Sequence, residues 1–300
     1  MRPTLRQMQY LIAIADTGKF GDAARAVNVS QPSLSAQVAE MEAGLGVALV
    51  ERSRRGALLT PAGEELVRRA RVILREVEDL KAVAKLGRTE LSGRLRLGVL
   101  PTIGPYLLPQ TTGDLRARFP ALRLSVREER TVDLDERLQA GLFDTVISTP
   151  EDHPDTDYAH LFAERLYACG PPDDELTQGD GPLRLEHLRG RQLLTLGQGH
   201  RLSEITQDLA TAAGATVSSE YEGTSLDAIR LMSELGAGIA ILPSLYALSE
   251  ARRDRGLHIR LIDHPMARRD IALIWRETSP LAASLLSLSG CLQNAASKLL

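Results

Sequence analysis

The sequence has few cysteines, and this scarcity limits the class of protein it can be. Only Cys169 and Cys291 are present among 300 residues, and they lie in no CxxC spacing. Two isolated thiols exclude a disulfide-stapled scaffold and a cysteine metal cluster, and they fit a reducing compartment. We therefore expect a cytoplasmic protein.

Long uncharged hydrophobic runs are also missing. The apolar run at residues 11–15 is too short for the core of a signal peptide and leads to no A-x-A cleavage site. The least charged stretch, residues 281–300, has polar side chains at positions that a bilayer would penalise. We predict an amphipathic helix there, and we expect neither a signal peptide nor contact with a membrane.

The motifs of common enzyme classes are absent as well. The sequence contains no GxxxxGK[ST], HExxH or GxSxG motif and no His/Cys set with metal-ligand spacing. Gly236-Ala237-Gly238 lacks the third glycine of a dinucleotide-binding fingerprint. We expect no enzyme, no cofactor and no metal site.

What is present is an ordinary globular composition with an uneven charge. Hydrophobic residues make up 43% and charged residues 25% of the chain, as is usual for globular proteins. At roughly 150 residues per domain, a length of 300 residues predicts about two domains. Residues 1–87 contain 13 Lys/Arg and 10 Asp/Glu, so the net charge is +3 there and −6 beyond. This mildly basic segment is compatible with nucleic-acid binding, but its charge alone decides nothing.

The first 45 residues show three helical patterns separated by short turns. Ser30 is placed to cap the third helix, and Pro32 lies where a missing N–H costs nothing. The second and third patterns, with the small Ala24 at their crossing, are typical of a helix-turn-helix. Short hydroxyls and amides on the exposed face of the third helix suit base edges and phosphates in a major groove; they are Gln31, Ser33, Ser35 and Gln37. A structural three-helix bundle with a polar outer face would show the same pattern.

A wing and a long helix follow the third helix. Residues 49–60 are predicted to form two short strands with a basic tip that includes Arg52, Arg54 and Arg55. These side chains can reach phosphates or a narrow minor groove, although such a run also suits a solvated loop. Pro61 opens a helix to about Leu86 whose apolar residues recur at spacings of four and three, which predicts a two-helix seam and hence a homodimer.

Several sequence blocks in this order resemble the DNA-binding domain of LysR-type transcriptional regulators. The blocks are Leu5-Arg6-Gln7-Met8, Val29-Ser30-Gln31-Pro32-Ser33-Leu34-Ser35, Leu45-Gly46, Glu51-Arg52 and Leu59-Thr60-Pro61-Ala62-Gly63. The resemblance implies a winged helix-turn-helix at 1–60, a linker helix and hinge at 61–90, and DNA contacts at Gln31, Pro32, Ser33, Ser35, Gln37, Arg52 and Arg54. It also implies tetramers built from two dimers, bound to promoter DNA and in contact with RNA polymerase. Ala36 departs from the family, which often has a basic residue there.

The rest of the chain is predicted to be an α/β effector domain. Strand-like runs at 95–99, 122–126, 145–148, 193–196, 239–242 and 271–275 alternate with helical patterns. In the family such domains resemble periplasmic binding proteins, with two α/β lobes around a ligand cleft. We place lobe I at 91–165 and 267–300 and lobe II at 166–266. A solute-binding receptor would share this fold, but it would need export and would have no use for the first 86 residues.

Ligands of such folds lie beyond the carboxyl ends of the strands, where loops and helix starts expose N–H groups. The residues that we expect to bind a small-molecule effector are Thr102, Thr131, Ser148, His200, Arg201, Thr224 and Ser225. Hydroxyls at these positions would equally serve as helix caps.

Within the family, the peroxide-sensing OxyR-type subgroup is the most similar. The similarity is carried by Gly98-Val99, residues 101–109, Gly199-His200, Thr224-Ser225-Leu226 and Arg268-Arg269. Those regulators have a peroxide-reactive cysteine directly after the Gly-His pair and a second one nine residues on, but this chain has Arg201 and Ala210 there. The dithiol switch is therefore not implied, and Cys169 and Cys291 either replace it or are small buried hydrophobes.

Arg201 leaves two interpretations open. A guanidinium at the mouth of the inferred cleft would bind a carboxylate or a phosphate, which predicts an anionic effector. Alternatively, Arg201 forms a structural ion pair with Glu204 or Asp208 on the following helix. We expect a LysR-type regulator that responds to a small molecule.

Overall fold

The computed structural model describes residues 3–53, 56–85, 91–179, 181–220, 223, 225–254 and 256–300. The chain divides into two compact units, one of residues 1–89 and 140–142 and the other of residues 90–139 and 143–300. The helices and strands of the first unit are α1 (Leu5–Thr17), α2 (Phe20–Ala26), α3 (Gln31–Leu45), β1 (Val50–Ser53), β2 (Gly56–Leu59) and α4 (Pro61–Lys85).

The first three helices form the predicted helix-turn-helix. The Ser30 hydroxyl accepts a hydrogen bond from the N–H of Ser33 at 3.3 Å, so α3 begins as the sequence indicates. Gly46, with a φ of 71°, ends α3 in the left-handed conformation that favours glycine. Leu34 and Val38 are fully buried against α1 and α2, which leaves the opposite face of α3 exposed.

The wing is attached to α3 and α4 by specific contacts. β1 and β2 pair antiparallel from Val50 opposite Leu59. The Glu42 carboxylate on α3 accepts the N–H groups of Leu49 and Val50 at 2.8 and 3.0 Å. Gly63 on α4 lies so close to the Leu49 carbonyl that a Cβ there would be 2.1 Å from its oxygen, so only glycine fits.

The second unit is built on a nine-stranded mixed sheet with the strand order β4-β3-β5-β11-β6-β9-β7-β8, in which β10 pairs with β6. Its strands are β3 (Gly93–Val99), β4 (Leu122–Glu128), β5 (Thr145–Ser148), β6 (Thr156–Cys169), β7 (Gln192–Leu194), β8 (Thr216–Val217), β9 (Ile239–Pro243), β10 (Ile259–Leu261) and β11 (Arg268–Arg276). Its helices are α5 (Gly104–Arg118), α6 (Thr131–Gln139), α7 (Glu175–Gln178), α8 (Arg201–Ala213), α9 (Leu226–Glu234), α10 (Ser244–Arg253) and α11 (Ala282–Leu299).

Two hydrophobic cores lie along this sheet. One contains the buried residues of β3, β5 and β11 with α5 and α11, and the other contains those of β7 and β9 with α8. The long strand β6 contributes to both, because it pairs with β11 through Arg165 and with β9 from Leu166 onward. The two cores define two lobes, and the predicted α/β class is confirmed.

The strand β6 was not predicted. Its apolar residues are interrupted by charged and polar residues and form a continuous run only at its end. The short strands β8 and β10 were missed because two or three residues give no periodicity. No helix in the described part of the chain is long and apolar enough to cross a membrane.

Candidate functional site

The start of α3 presents the side chains that we predict to contact DNA. Gln31, Pro32 and Ser33 are exposed on its first turn, and Ser35 and Gln37 are half-buried on the next. The Gln37 side chain accepts a hydrogen bond from Gln7 at 3.4 Å and donates one to Glu40 at 3.1 Å.

The two arginines that we predict to contact DNA from the wing are Arg52 and Arg54. Arg52 lies in β1, but its side chain is outside the described part of the structure, and Arg54 lies outside the described residues altogether. Their assignment to DNA stays a prediction.

A cavity of about 540 Å³ lies in the second unit, where several strands and helices end, and we call it the cleft cavity. Lobe I contributes the segment that follows β3, the end of β4 and the start of α6, and lobe II contributes the starts of α8, α9 and α10. Among the residues that line it are Tyr106, Glu128, Arg130, His200, Asp227 and Tyr246.

His200 is the buried polar residue of the cleft cavity. Its side chain is 3% exposed, and its Nε2 has no hydrogen-bond partner among the residues that the structure describes. Burial lowers the pKa of His200, and the positive charges of Arg130 and Arg269 lower it further. The imidazole is therefore neutral near pH 7, and its Nε2 is covered by the surrounding protein atoms.

A buried ion pair joins the two strands that pass between the lobes. Arg269 on β11 and Glu164 on β6 are separated by 2.6 Å and are both almost fully buried. Arg269 also donates to the Thr102 hydroxyl at 2.8 Å, and Glu164 accepts the N–H of Leu245 at 3.2 Å. Thr102, predicted to bind the effector, is thus occupied by Arg269 and does not line the cleft cavity.

Arg201 lies at the first position of α8 and does not line the cleft cavity either. Its backbone N–H donates to the Thr131 hydroxyl at 3.2 Å, and its guanidinium lies 2.9 Å from Glu204 and 3.7 Å from Asp152. It faces a separate cavity of about 200 Å³. The structure therefore contains the contact with Glu204 that the ion-pair interpretation of Arg201 predicts.

The other predicted effector residues occupy different places. Ser225 lines the cleft cavity and caps α9, since its hydroxyl accepts the Ala228 N–H at 3.3 Å. Ser148 is fully buried, and its hydroxyl has no partner within the described ranges. Thr224 lies outside the described residues.

Sequence reasoning missed Glu164, Tyr106 and Tyr246 at or beside the cleft cavity. The two tyrosines lie 140 positions apart along the chain, and no motif brings them or Glu164 together. A Glu-Arg pair between the apolar residues Phe162-Ala163 and Leu166-Tyr167 was the one signal in the sequence that could have pointed to Glu164.

Both cysteines are buried in hydrophobic cores. Cys169 ends β6 in one core, and burial raises the pKa of its thiol to about 12. Cys291 lies on α11 in the other core. A peroxide-reactive cysteine requires an accessible thiolate, and Cys169 has neither exposure nor a lowered pKa.

A winged helix-turn-helix followed by a two-lobed α/β domain defines the class of DNA-binding transcriptional regulators with an effector-binding domain. Family models agree: the bacterial regulatory helix-turn-helix protein of the lysR family matches residues 5–64, and the LysR substrate binding domain matches residues 88–297. The chain belongs to the LysR family of transcriptional regulators.

Several of the similar proteins are OxyR-type regulators. A hydrogen peroxide-inducible genes activator of Haemophilus influenzae is 37% identical over 279 residues, which cover 92% of each chain. A cysteine-to-aspartate variant of full-length OxyR from Pseudomonas aeruginosa matches 97% of this chain and 98% of its own, with a TM-score of 0.78 and 30% identity. A peroxide-bound cysteine-to-serine variant of OxyR from Corynebacterium glutamicum matches 100% of this chain and 94% of its own, with a TM-score of 0.67 and 30% identity.

Proposed function

We propose that this regulator binds double-stranded promoter DNA through α3 and the wing, and that a small molecule in the cleft cavity controls its action. The observation that carries the proposal is the cleft cavity itself, which lobe I and lobe II line together at the ends of strands and the starts of helices. The volume of about 540 Å³ lies in the usual range of ligand pockets.

The proposal includes an assembly of two or four chains on DNA, in contact with RNA polymerase in the cytoplasm. On α4, the Ile73 side chain is 41% exposed in the single chain, and Leu66 and Val77 are half-buried. Apolar residues at this spacing would be covered by a second copy of α4. Two copies joined in this way present two recognition helices to the two half-sites of a dyad.

Peroxide sensing by Cys169 or Cys291 is the alternative that the similar proteins suggest. It has less support here, because a guanidinium stands after the Gly-His pair and both cysteines are buried. A peroxide sensor needs an exposed, low-pKa sulfur, but both thiols are buried, and burial raises the pKa of Cys169.

Footprinting on the DNA upstream of the gene tests the proposal. The Pro105→Trp variant places an indole in the cleft cavity, since Pro105 is exposed and lines it. We expect its protected length to differ from that of the unmodified protein. The matched control, Gln110→Trp, adds an indole to an exposed position of the same helix that does not line the cavity, and its footprint should be unchanged.

Two results would count against the proposal. If Pro105→Trp gives the footprint of the unmodified protein, the cleft cavity does not control DNA binding. If peroxide changes the protected length of the unmodified protein, one of the buried thiols acts as the sensor after all.

A further inference from the structure

The first residue of α8 is bonded to the opposite lobe through its backbone. The Arg201 N–H donates to the Thr131 hydroxyl at 3.2 Å. The helix α8 packs into the core of lobe II through Leu202, whereas Thr131 begins α6, which packs into the core of lobe I through Leu134. The N–H groups of a first helical turn have no partner within the helix, and the side chain of His200 forms no cap. A hydroxyl from lobe I therefore caps a helix of lobe II.

The side chain of Arg201 also has a partner in each lobe. Its guanidinium lies 2.9 Å from Glu204 on the same helix and 3.7 Å from Asp152, which follows β5 in lobe I. The Thr149 hydroxyl donates to the Asp152 carboxylate and holds it in place. The Asp152 side chain is 18% exposed and that of Glu204 is 57% exposed. Solvent weakens exposed ion pairs, so the longer contact, which joins the lobes, is also the better shielded one.

These contacts lie away from the strands that connect the lobes. A cavity of about 200 Å³ is lined by Arg201 on α8 and by Arg269 near the start of β11, and thus lies between them. The buried pair of Arg269 and Glu164 joins the two connecting strands themselves. When two lobes rotate about their connecting strands, groups near the strands move least. Such a rotation would keep the Arg269–Glu164 pair and separate α8 from its two partners in lobe I.

We propose that Thr131, Asp152 and Arg201 form a clasp, called here the lobe clasp, which holds lobe I and lobe II in one arrangement in the absence of an effector. A guanidinium is always charged in proteins, so the lobe clasp closes without a change of protonation or oxidation at Arg201. An effector that changes the angle between the lobes must break it. The lobe clasp goes beyond the proposed function, because it forms within the effector domain and involves no ligand.

A distance between two spin labels, measured by pulsed electron paramagnetic resonance on the full chain, tests the lobe clasp. The labels are attached through Asp114→Cys on α5 and Ala212→Cys on α8, both at exposed positions. Each position lies near the far end of a helix that starts beside the cleft cavity, so a rotation of the lobes changes the distance between them. Cys169 and Cys291 are buried and should stay unlabelled. An excess of unlabelled chains restricts the signal to distances within one chain.

The two partners of Arg201 provide a matched pair of variants. We expect one narrow distance distribution for the otherwise unmodified chain, and a shift of more than about 2 Å or a clear broadening for Arg201→Gln and for Asp152→Asn. The double variant should change no more than the larger single change, since both remove the same contact. Glu204→Gln should leave the distribution unchanged, because it removes only the partner within α8.

Salt gives a second measurement that needs no variant of the lobe clasp. At about 1 M salt the Debye length falls to about 3 Å, so the distribution of the unmodified clasp should move toward that of Arg201→Gln. The distribution of Arg201→Gln itself should not respond. If Arg201→Gln fails to fold, as circular dichroism would show, the salt response of the unmodified clasp decides, and a constant distribution overturns the proposal.

Two further results would overturn the lobe clasp. The first is a distribution that neither Arg201→Gln nor Asp152→Asn alters. The second is an equal change in Glu204→Gln, because Arg201 would then act only on the stability of α8. The footprint of Pro105→Trp tests the proposed function separately, since the distance measurement uses neither DNA nor a ligand.

Discussion

The surface at the start of α3 that we propose to contact DNA, here called the DNA-reading surface, differs from the surroundings of the cleft cavity in how far apart along the chain its bonded groups lie. At the start of α3 the Ser30 hydroxyl accepts the N–H of Ser33, three positions on, and Gln31, Pro32 and Ser33 are exposed. Beside the cleft cavity, Arg269 bonds to Glu164 and Thr102, which precede it by 105 and 167 positions. A local pattern can be read from sequence, whereas a network of distant residues is assembled only by the fold.

Among the predictions that follow, Arg269→Met is expected to have the largest effect, because it disrupts the network of distant residues beside the cleft cavity. It leaves the Glu164 carboxylate buried without a cation, which should lower the free energy of unfolding by about 3–5 kcal/mol. Urea titration followed by the fluorescence of Trp275 measures this, because Trp275 is the only tryptophan and is buried in β11. Arg268→Met is the matched control, since its guanidinium contacts Asp270 at the surface, and a loss above about 1 kcal/mol there would contradict the distinction.

The Gln31→Ala variant tests whether the DNA-reading surface contacts base edges. If Gln31 contacts a base edge, the variant should lose about 1–3 kcal/mol of specific binding and relax the preference at one base pair, with non-specific binding unchanged. Fluorescence anisotropy with a set of single-base operator variants measures this. Gln9→Ala, an exposed glutamine on α1, is the control. Equal losses on all sequences would show that Gln31 acts on the backbone instead.

A smaller effect is expected at the helix cap. Ser30→Ala removes the acceptor for the Ser33 N–H and should cost about 1 kcal/mol of stability in the first unit. Since this unit contains no tryptophan, thermal unfolding by far-ultraviolet circular dichroism is the measurement. Ser30→Asp restores an acceptor and should recover most of the loss; failure to recover would assign the effect to something other than capping.

The smallest effect is a pH dependence of the second unit. Burial lowers the pKa values of His153 and His200 below the ordinary 6.5, so the unfolded chain binds more protons than the folded chain just below that pH. The free energy of unfolding should therefore fall as the pH decreases from 6.5 through the folded-state values. Urea titrations at about pH 7.5 and about pH 5.5, with Trp275 as the probe, should show a smaller fall for the H153Q/H200Q variant. An equal fall would assign the dependence to other groups.

The fold was predicted best where one short stretch determines it. The Ser30 cap, the Pro61 start of α4 and the antiparallel wing follow from residues a few positions apart, and the structure has them. The strand β6 was missed because its pairing with β9 and β11 lies far along the chain. The lobe bounds, the DNA contacts and the effector residues stay predictions.

The candidate site was predicted only in part. His200 and Ser225 line the cleft cavity, whereas Thr102 and Arg201 bond to other protein groups. The predicted strands and helices placed these residues after strands or at helix starts, but the sequence does not show which hydrogen bonds and ion pairs they form. The burial of Arg269 with Glu164 is a property of two strands that meet in the middle of the sheet.

The close approach of Gly63 to Leu49 has a mechanical consequence. Gly63 leaves no space for a side chain between α4 and Leu49, and Glu42 bonds Leu49 and Val50 to α3, so the start of the wing is fixed to both helices. In the dimer that we propose, any change in the angle between the two α4 helices becomes an equal rotation of each DNA-reading surface. The distance between the two DNA-reading surfaces would then match one spacing of half-sites, and a signal that alters the dimer would change the spacing that the protein prefers.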